Sequence, residues 1–376
     1  MQKQKLKFPD GFLWGAATSA YQVEGGITNN DWAAAAGAGR VPAAGQACDQ
    51  YAKYEQDFKL AKYLHHNSHR LSIEWSRVEP RRGEFDEREI HHYHEVLSSL
   101  KRQGFTTFVT LHHFTNPLWL AREGGWLADC APKHFAQYTA KICQTLGHLV
   151  DFWITVNEPL IYAGMSYGGG MWPPFVKNYW KSWKVYKNLF AAHNRAYHVI
   201  HKYYHRAHVG FAQNISYNSG LIRSAVNNYM EVAFAYSRTK NDFLGLNHYF
   251  SHGAAGAEKT DWPIFTIYPP AIYDVLARLK NYRLPIYVTE NGLPDAADHK
   301  RERYIKTYLA QIHRAIQNGA DVRGYLHWSL VDNYEWAEGY KYKFGLVEVD
   351  FKTQKRVPRE SAFAYSHICL DNALII

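Results

Sequence analysis

The sequence predicts an α/β fold in which eight parallel strands close into a barrel with helices around it. Eight short segments are β-rich or almost continuously apolar, as is typical of parallel strands buried on both faces. Segments with apolar residues at helical spacing lie between them. Strands that alternate with helices favour a parallel sheet, and eight is the strand number of a (β/α)8 barrel.

The strand candidates are bounded by turn residues and precede polar clusters. In chain order they are Phe12–Ser19, His69–Ser76, Thr106–His113, Phe152–Asn157, Val209–Ile215, Phe243–Tyr249, Pro285–Glu290 and Val322–Ser329. Helical spacing of apolar residues predicts seven helices within 51–64, 90–100, 135–149, 183–204, 271–279, 303–316 and 360–368.

Two segments depart from this regular alternation. The interval from Ile215 to Asp242 is short, and Met230–Tyr236 gives its one helical signal. We therefore expect reduced helical material between strands five and six, and a thin, mobile, open side of the barrel. The Ala/Gly-rich segment Ala33–Ala47 is interpreted as a mobile loop.

Length and charge bound the function. With 376 residues and no interior linker, residues 1–376 are expected to form one barrel domain. The net charge is +9, but basic and acidic residues are interleaved, so a nucleic-acid partner is not expected. The densest positive stretch is interpreted as a solvated helix face: Lys177, Lys181, Lys184 and Lys187.

The cysteines and histidines do not predict a metal centre. The four cysteines are widely spaced and form no CxxC pair. Neighbouring residues on a helix point in different directions, so His65-His66 and His91-His92-x-His94 are interpreted as solvated surface. The N-terminus has no apolar leader, and no apolar run approaches the ~20 residues of a membrane span. A cytoplasmic protein without membrane contact is expected.

Polar residues at the strand ends indicate the chemistry. Active sites of such barrels lie at the carboxyl ends of the strands. Glu158 follows strand four and Glu290 ends strand seven. A lone glutamate there is more often a surface residue, but two, each beside an asparagine and after an apolar strand, favour an active site. Two facing carboxyl groups are what glycoside hydrolysis requires, and a separation of about 5–5.5 Å predicts retention.

Six motifs give this chain a specific resemblance to a known family. They are Phe12–Gly25, Arg70–Arg77, Thr155–Pro159, Asp242–Asn247, Val288–Gly292 and Trp328–Trp336. With these motifs the chain resembles glycoside hydrolase family 1, the β-glucosidase and β-galactosidase family, and they occur in the family's order across nearly the whole chain. The resemblance implies a (β/α)8 barrel enzyme, although family members are usually longer.

The resemblance also implies residue roles. Glu158 resembles the acid/base, Glu290 the nucleophile and Arg70 the arginine beside it. Tyr249 resembles the tyrosine that bonds the nucleophile. The residues expected to contact the sugar are Gln22, His113, Asn157, Tyr249, Trp328, Glu335 and Trp336.

The implied activity is retaining hydrolysis of terminal β-D-glycosyl residues from small glycosides, with no metal or organic cofactor. Glucose is the expected glycone, with galactose and fucose as alternatives. Glu335 would repel a phosphate, so an unphosphorylated glycone is expected, although Lys341 and Tyr342 lie near phosphate-binding positions of the 6-phosphosugar branch. Phe114 replaces a tryptophan found in many relatives. The alternative from another class is a catalytically weakened sugar-binding or scaffold barrel.

Overall fold

The computed structural model describes residues 4–376, and its centre is a closed barrel of eight parallel strands. The strands are β1 Leu13–Ala17, β2 Ser68–Ser72, β3 Thr106–His112, β4 Phe152–Asn157, β5 His208–Asn214, β6 Leu244–Asn247, β7 Ile286–Asn291 and β8 Val322–Trp328. Consecutive strands are neighbours, and β8 pairs with β1 to close the sheet. Each predicted strand overlaps one of these, which confirms the predicted fold class.

Seven long helices cover the outside of the barrel. They are α1 Gln50–Tyr63, α2 Glu87–Arg102, α3 Ala131–Leu146, α4 Tyr179–Tyr203, α5 Pro270–Leu279, α6 Arg301–Gln317 and α7 Glu360–Asp371. All seven helices predicted from apolar spacing are confirmed.

Short strands, helices and turns lie outside the eight barrel strands and the seven long helices. Antiparallel pairs join Lys5–Lys7 to Ala373–Ile375, Glu258–Lys259 to Thr266–Ile267 and Val347–Val349 to Arg356–Pro358, and Tyr217–Asn218 runs parallel to Ser251–His252. Short α-helices are Ala20–Val23, Asp31–Gly37, Trp75–Val78, Leu118–Arg122 and Pro159–Ala163, which continues as a π-helix over Gly164–Gly168. Single 3-10 turns are Gly125–Leu127, Gly147–Leu149, Lys280–Tyr282 and Trp336–Glu338.

Helix α2 illustrates why these segments are helical. The Asp86 side chain caps its first turn by accepting from the backbone N–H of Arg88. Ile90, Tyr93 and Leu97 recur at helical spacing and are buried against the barrel. Basic residues in the last turn complement the partial negative charge of the helix end. Local capping and an apolar stripe therefore agree with the tertiary packing.

The barrel interior is filled below the site. Phe108 and Phe152 stack with ring centroids 4.4 Å apart, and Tyr287 and Phe243 pack edge-on against them. Because this layer is densely packed, truncation of Phe108 to alanine would cost about 3–5 kcal/mol of stability. This aromatic layer fills the barrel beneath the carboxyl ends of the strands, where the cavity lies.

The short connection between β5 and β6 is helical in three consecutive parts, which we call the 221–237 helix. They are the α-helix Leu221–Asn227, the π-helix Asn228–Ala233 and the α-helix Phe234–Ser237. The first part buries no side chain, whereas the Phe234 ring packs against Trp183 of α4 at 4.5 Å. The predicted shortage of helical material between β5 and β6 is confirmed. The second half of the 221–237 helix is nevertheless packed against α4.

Two sequence interpretations are wrong, one of them only in part. Ala33–Ala47 was expected to be a mobile loop, but its residues 33–37 belong to the helix Asp31–Gly37, because the Asn30 side chain caps Ala33 N–H and Trp32 is fully buried beneath it, whereas residues 38–47 are irregular. His66 was expected at the surface but is 1 % exposed, with its ring 5.4 Å from that of Tyr365.

The other surface interpretations stand in part. The four lysines of the positive stretch are exposed, as predicted. His91 is exposed, but His92 stacks on Tyr51 with centroids 3.7 Å apart and is half-buried. Within residues 4–376, no helix combines the length and the apolarity needed to cross a bilayer.

Candidate active site

A cavity of about 220 Å³ opens at the carboxyl ends of the strands. Seven of the residues singled out from the sequence line it: His113, Glu158, Tyr249, Glu290, Trp328, Glu335 and Trp336. The fold thus brings both candidate carboxyl groups to one space. Arg70, Asn157 and Gln22 are buried in the surrounding wall rather than in the lining.

Glu158 stands where β4 ends and the helix Pro159–Ala163 begins. Its φ of 43° lies in the left-handed region, which is unfavourable for a residue with a Cβ atom. The Asn214 and Asn247 side-chain amides donate to its Oε1 at 3.0 and 2.8 Å. Pro159 supplies a residue without an N–H at the first helical position. The turn directs the carboxyl group into the cavity at the cost of backbone strain.

Glu290 has different partners. The Arg70 guanidinium donates to its Oε1 at 2.5 Å, and the Tyr249 hydroxyl donates to its Oε2 at 2.8 Å. Arg70 is fully buried, so this ion pair is shielded from water. The next glycine, Gly292, is required for packing, because a Cβ there would meet the Trp328 carbonyl oxygen at 1.9 Å. That close approach fixes Glu290 relative to Trp328.

The surroundings also shift the ionisation of both groups. Burial, and then the negative charge of Glu290, raise the pKa of Glu158 to about 8. Burial raises the pKa of Glu290 as well, but there Arg70 and the Tyr249 hydroxyl oppose it. The cation in contact with Glu290 makes it the group that ionises more readily.

Glu335 is a third acidic group in the cavity. Burial, followed by the charges of Glu290 and Glu158, raises its pKa to about 8. Its Oε2 and the Nδ1 of His113 are buried without a hydrogen-bond partner among the described residues. Burial and the nearby Arg70 charge hold the pKa of His113 well below its ordinary value, so the ring is neutral. Unpartnered polar atoms at a cavity wall suit a ligand rich in hydroxyl groups.

Aromatic rings form the rest of the inner wall. The His113 ring is nearly parallel to those of Trp328 and Trp336, at centroid distances of 5.9 and 6.1 Å. Trp336 and Phe114 share with Glu158 a φ in the left-handed region, at 49° and 71°. Three lining residues therefore depart from ordinary backbone geometry, which is characteristic of functional sites.

Gln22 and Asn157 are close to the site but engaged with protein groups. The Gln22 amide donates to the Tyr334 carbonyl at 2.8 Å and accepts from the Ser19 hydroxyl. Asn157 Oδ1 accepts from Arg70 at 2.6 Å. Their sugar contacts remain predictions.

Two further asparagines were missed as functional residues. Asn247 pairs in register with Glu290 and donates to Glu158, so it links the two carboxyl-bearing strands. Asn214 ends β5 and donates to the same oxygen. The available signal was the same as for Glu158, a polar side chain at the end of an apolar strand.

Side chains of the types that bind metal ions converge outside the cavity. Within residues 4–376, the group of potential ligand atoms that converges is Glu123, Cys130 and His134, none of which lines the cavity. The histidine pairs noted in the sequence do not take part.

Comparisons agree with this geometry. A family model described as glycosyl hydrolase family 1 matches residues 4–235 and 224–373. Beta-glucosidase A of Thermotoga maritima is 30% identical over 98% of this chain and 99% of its own length. A 6-phospho-beta-galactosidase of Leptotrichia buccalis is also 30% identical, over 96% of this chain and 98% of its own length.

A solved beta-glycosidase from Pyrococcus horikoshii superposes with a TM-score of 0.91 at 34% identity and covers 99% of this chain and 96% of its own. The alignment to the Thermotoga enzyme extends over 440 positions, more than the 376 residues present here, so the relative has residues that this chain lacks. The chain belongs to glycosyl hydrolase family 1 and is a β-glycosidase.

Proposed function

We propose that the protein is a retaining β-glycosidase that releases a terminal β-D-glucosyl residue from small unphosphorylated glycosides. The observation that carries the proposal is the unequal environment of two glutamates in one cavity. Glu290 contacts the buried Arg70, whereas the hydrogen bonds to Glu158 come from neutral amides. Groups whose surroundings separate their pKa values suit the roles of nucleophile and acid.

In the first step, the Glu290 carboxylate attacks the anomeric carbon as the bond to the glycosidic oxygen breaks. Glu158 gives its proton to that oxygen, and the aglycone leaves as an alcohol. The sugar is then held by an ester bond to Glu290, which no longer carries a charge.

In the second step, the loss of that charge lowers the pKa of Glu158, which now acts as a base. It takes a proton from water, and the water oxygen attacks the anomeric carbon. The ester bond breaks, Glu290 regains its negative charge, and the sugar leaves with its original β configuration.

The polar wall supports a hydroxylated glycone. Glu335 Oε2 and His113 Nδ1 are unpartnered acceptor or donor atoms, and the Trp328 ring offers an apolar face. Glucose is the proposed sugar, with galactose and fucose as alternatives, because the same polar groups can serve several epimers. A carboxyl group at Glu335 disfavours a phosphorylated sugar, because it offers the phosphate no cation and repels it once ionised.

The test uses 2,4-dinitrophenyl β-glucoside, which needs no acid assistance. Glu290→Ala should abolish hydrolysis, and added azide should yield the α-glucosyl azide. Glu158→Ala should form the glycosyl-enzyme, and azide should yield the β-glucosyl azide. Glu231→Gln is the matched control, because it alters a buried carboxyl group that does not line the cavity. The same azide anomer from both alanine variants would overturn the assignment of roles.

The alternative is a sugar-binding barrel without turnover. It would bind glucosides measurably yet leave the dinitrophenyl glucoside intact in the unaltered protein. A protein without turnover would gain stability by relieving the backbone strain at Glu158. Because Glu158 keeps a φ of 43°, the strain is retained, which favours the enzyme.

A further inference from the structure

The outer part of the cavity differs chemically from its inner part. Six large apolar side chains, which we call the apolar rim, line it: Ile161, Met165, Met171, Phe250, Trp262 and Ile264. Met171 and Ile264 are 58 and 53 % exposed, so the apolar surface extends to the mouth of the cavity.

Half of the apolar rim lies on the side of the acid/base, whereas Phe250 and Trp262 pack against the cluster that contains Tyr249 and Trp328. Ile161 and Met165 belong to the helical segment that starts directly after Glu158. The Met171 N–H donates to the Met165 carbonyl at 2.8 Å, which places Met171 beside them. Since the proposed proton donor faces the glycosidic oxygen, the group that leaves must occupy this side.

Hydrogen-bonding groups are scarce around the apolar rim. Outside the catalytic and predicted sugar-binding residues, the side chains with hydrogen-bonding groups that line the cavity are Asn214, Glu338 and, with one indole N–H each, Trp172 and Trp262. The Asn214 amide nitrogen already donates to Glu158, which leaves its Oδ1 as an unpartnered acceptor. A second sugar ring would place several hydroxyl groups against carbon atoms, and each unpartnered hydroxyl weakens binding.

The apolar rim combines a rigid wall with adaptable side chains. The Trp262 ring stacks on Tyr342 at 4.5 Å with an interplanar angle of 3°, so it is fixed. Met165 and Met171 are unbranched and adjust to ligands of different shape. Such a surface favours flexible apolar groups over one defined polar partner.

We infer that the apolar rim is the aglycone subsite of this chain and that it selects uncharged alkyl or aryl aglycones over a second sugar. The inference rests on the proposed function, because the apolar rim is an aglycone site only if Glu158 protonates the leaving group. The cavity's inner polar wall then holds the sugar, and its outer wall holds a hydrocarbon.

The test compares substrates whose leaving groups have similar basicity. Methyl and octyl β-glucosides, below the micellar concentration, are assayed with a glucoside of an ethylene-glycol chain as long as octyl. If a comparison of 4-nitrophenyl β-glycosides shows that galactose is preferred to glucose, galactosides replace all three glucosides. We expect kcat/KM for octyl to exceed that for methyl by about tenfold or more, since burial of two methylene groups suffices for that. The ethylene-glycol glucoside should stay within about threefold of methyl.

Variants then connect the preference to the apolar rim. Met171→Gln combined with Ile264→Asn should reduce the octyl-to-methyl ratio by about three- to tenfold. Leu370→Gln is the matched control, because Leu370 is 59 % exposed and does not line the cavity, and it should leave the ratio unchanged.

The outcomes separate the two hypotheses. If none of the glucosides is hydrolysed, the proposed function fails. If methyl, octyl and ethylene-glycol glucosides react with equal kcat/KM, the enzyme stands and the aglycone inference is overturned. An unchanged octyl-to-methyl ratio in the double variant would also overturn it.

Discussion

The Arg70 Nη1–H group donates a hydrogen bond to Glu290 Oε1 at 2.5 Å. The arginine side chain is fully buried on β2, and the glutamate lies on β7. A second guanidinium nitrogen reaches Asn157 Oδ1 at 2.6 Å. One planar cation thus sets both the charge of the proposed nucleophile and the position of the asparagine beside the proposed acid. The fork geometry of arginine is what allows both contacts.

Replacing Arg70 by methionine removes that cation while retaining an apolar side chain. The pKa of Glu290 then rises, so the acidic limb of kcat/KM moves to higher pH by about one unit or more. The activity at its optimum falls by about 100- to 1,000-fold, because a preorganised charge is lost. The measurement is the pH profile of aryl β-glucoside hydrolysis.

Arg356→Met is the matched control for that variant. Arg356 and Asp57 form another buried ion pair, with side chains 1 and 0 % exposed, outside the cavity. Both variants should lose thermal stability, but the control should retain the acidic limb of the unaltered protein. A shift of equal size in both would mean that Arg70 acts through folding alone.

The raised pKa of Glu158 predicts opposite effects on activity and stability. The proton donor is lost as pH rises through about 8, so kcat/KM should fall there. In the unfolded chain this carboxyl ionises near its ordinary pKa, whereas in the folded protein it resists ionisation. The free energy of unfolding therefore falls between about pH 4.5 and 8, since over that interval the folded state binds more protons.

Glu158→Gln cannot ionise, so it should unfold at a higher temperature than the unaltered protein at pH 7. The difference should shrink towards pH 4, where both states of the unaltered protein are protonated. Thermal unfolding at the two pH values is the measurement. A variant that is less stable than the unaltered protein at pH 7 would show that burial does not penalise this charge.

Glu335 provides a test of the unphosphorylated glycone. A phosphate close to this carboxyl group would meet no cation, and it would be repelled as the carboxyl ionises towards pH 8, so 4-nitrophenyl β-glucoside 6-phosphate should react at least about 100-fold more slowly than the unphosphorylated compound. Glu335→Ser should narrow that gap, whereas the conservative Glu335→Asp should not. Equal kcat/KM for the two substrates in the unaltered protein would contradict the prediction.

The fold could be predicted largely from the sequence, because parallel strands buried on both faces leave long apolar runs and helices leave a periodic stripe. Helix Asp31–Gly37 was missed because the glycines that follow were given more weight than the alanines, although alanine has the highest helix propensity and Asn30 is a favourable N-cap. The burial of His66 depends on Tyr365, about 300 positions away, which no local pattern reports.

The site was predictable to a different degree for each residue. Glu158 and Glu290 follow from motif and strand position. The contribution of Asn214 depends on the register between β5 and its neighbours, and the left-handed φ of Phe114 and Trp336 has no glycine to signal it. Long-range pairing and backbone strain are tertiary properties, so the sequence could not give them.

The last prediction concerns the 221–237 helix. The sequence predicts a thin, mobile side of the barrel here, with one helical signal at Met230–Tyr236, and the structure divides this interval into an exposed and a packed half. Leu221 and Ile222 are 90 and 83 % exposed, whereas Val232 and Phe234 are buried. Amides of 222–229 should therefore exchange with solvent on the order of 100-fold faster than those of 232–237, because local opening of the first half uncovers little apolar surface.

Hydrogen exchange followed by mass spectrometry measures this difference, and α2, with its buried stripe, is the internal reference. Strong protection of 222–229 would contradict the prediction. It would mean that the apolar face of Leu221, Ile222 and Val226 is covered in solution. Exchange measured at two protein concentrations distinguishes a second copy of the chain, whose protection grows with concentration, from a fold more stable than its contacts indicate.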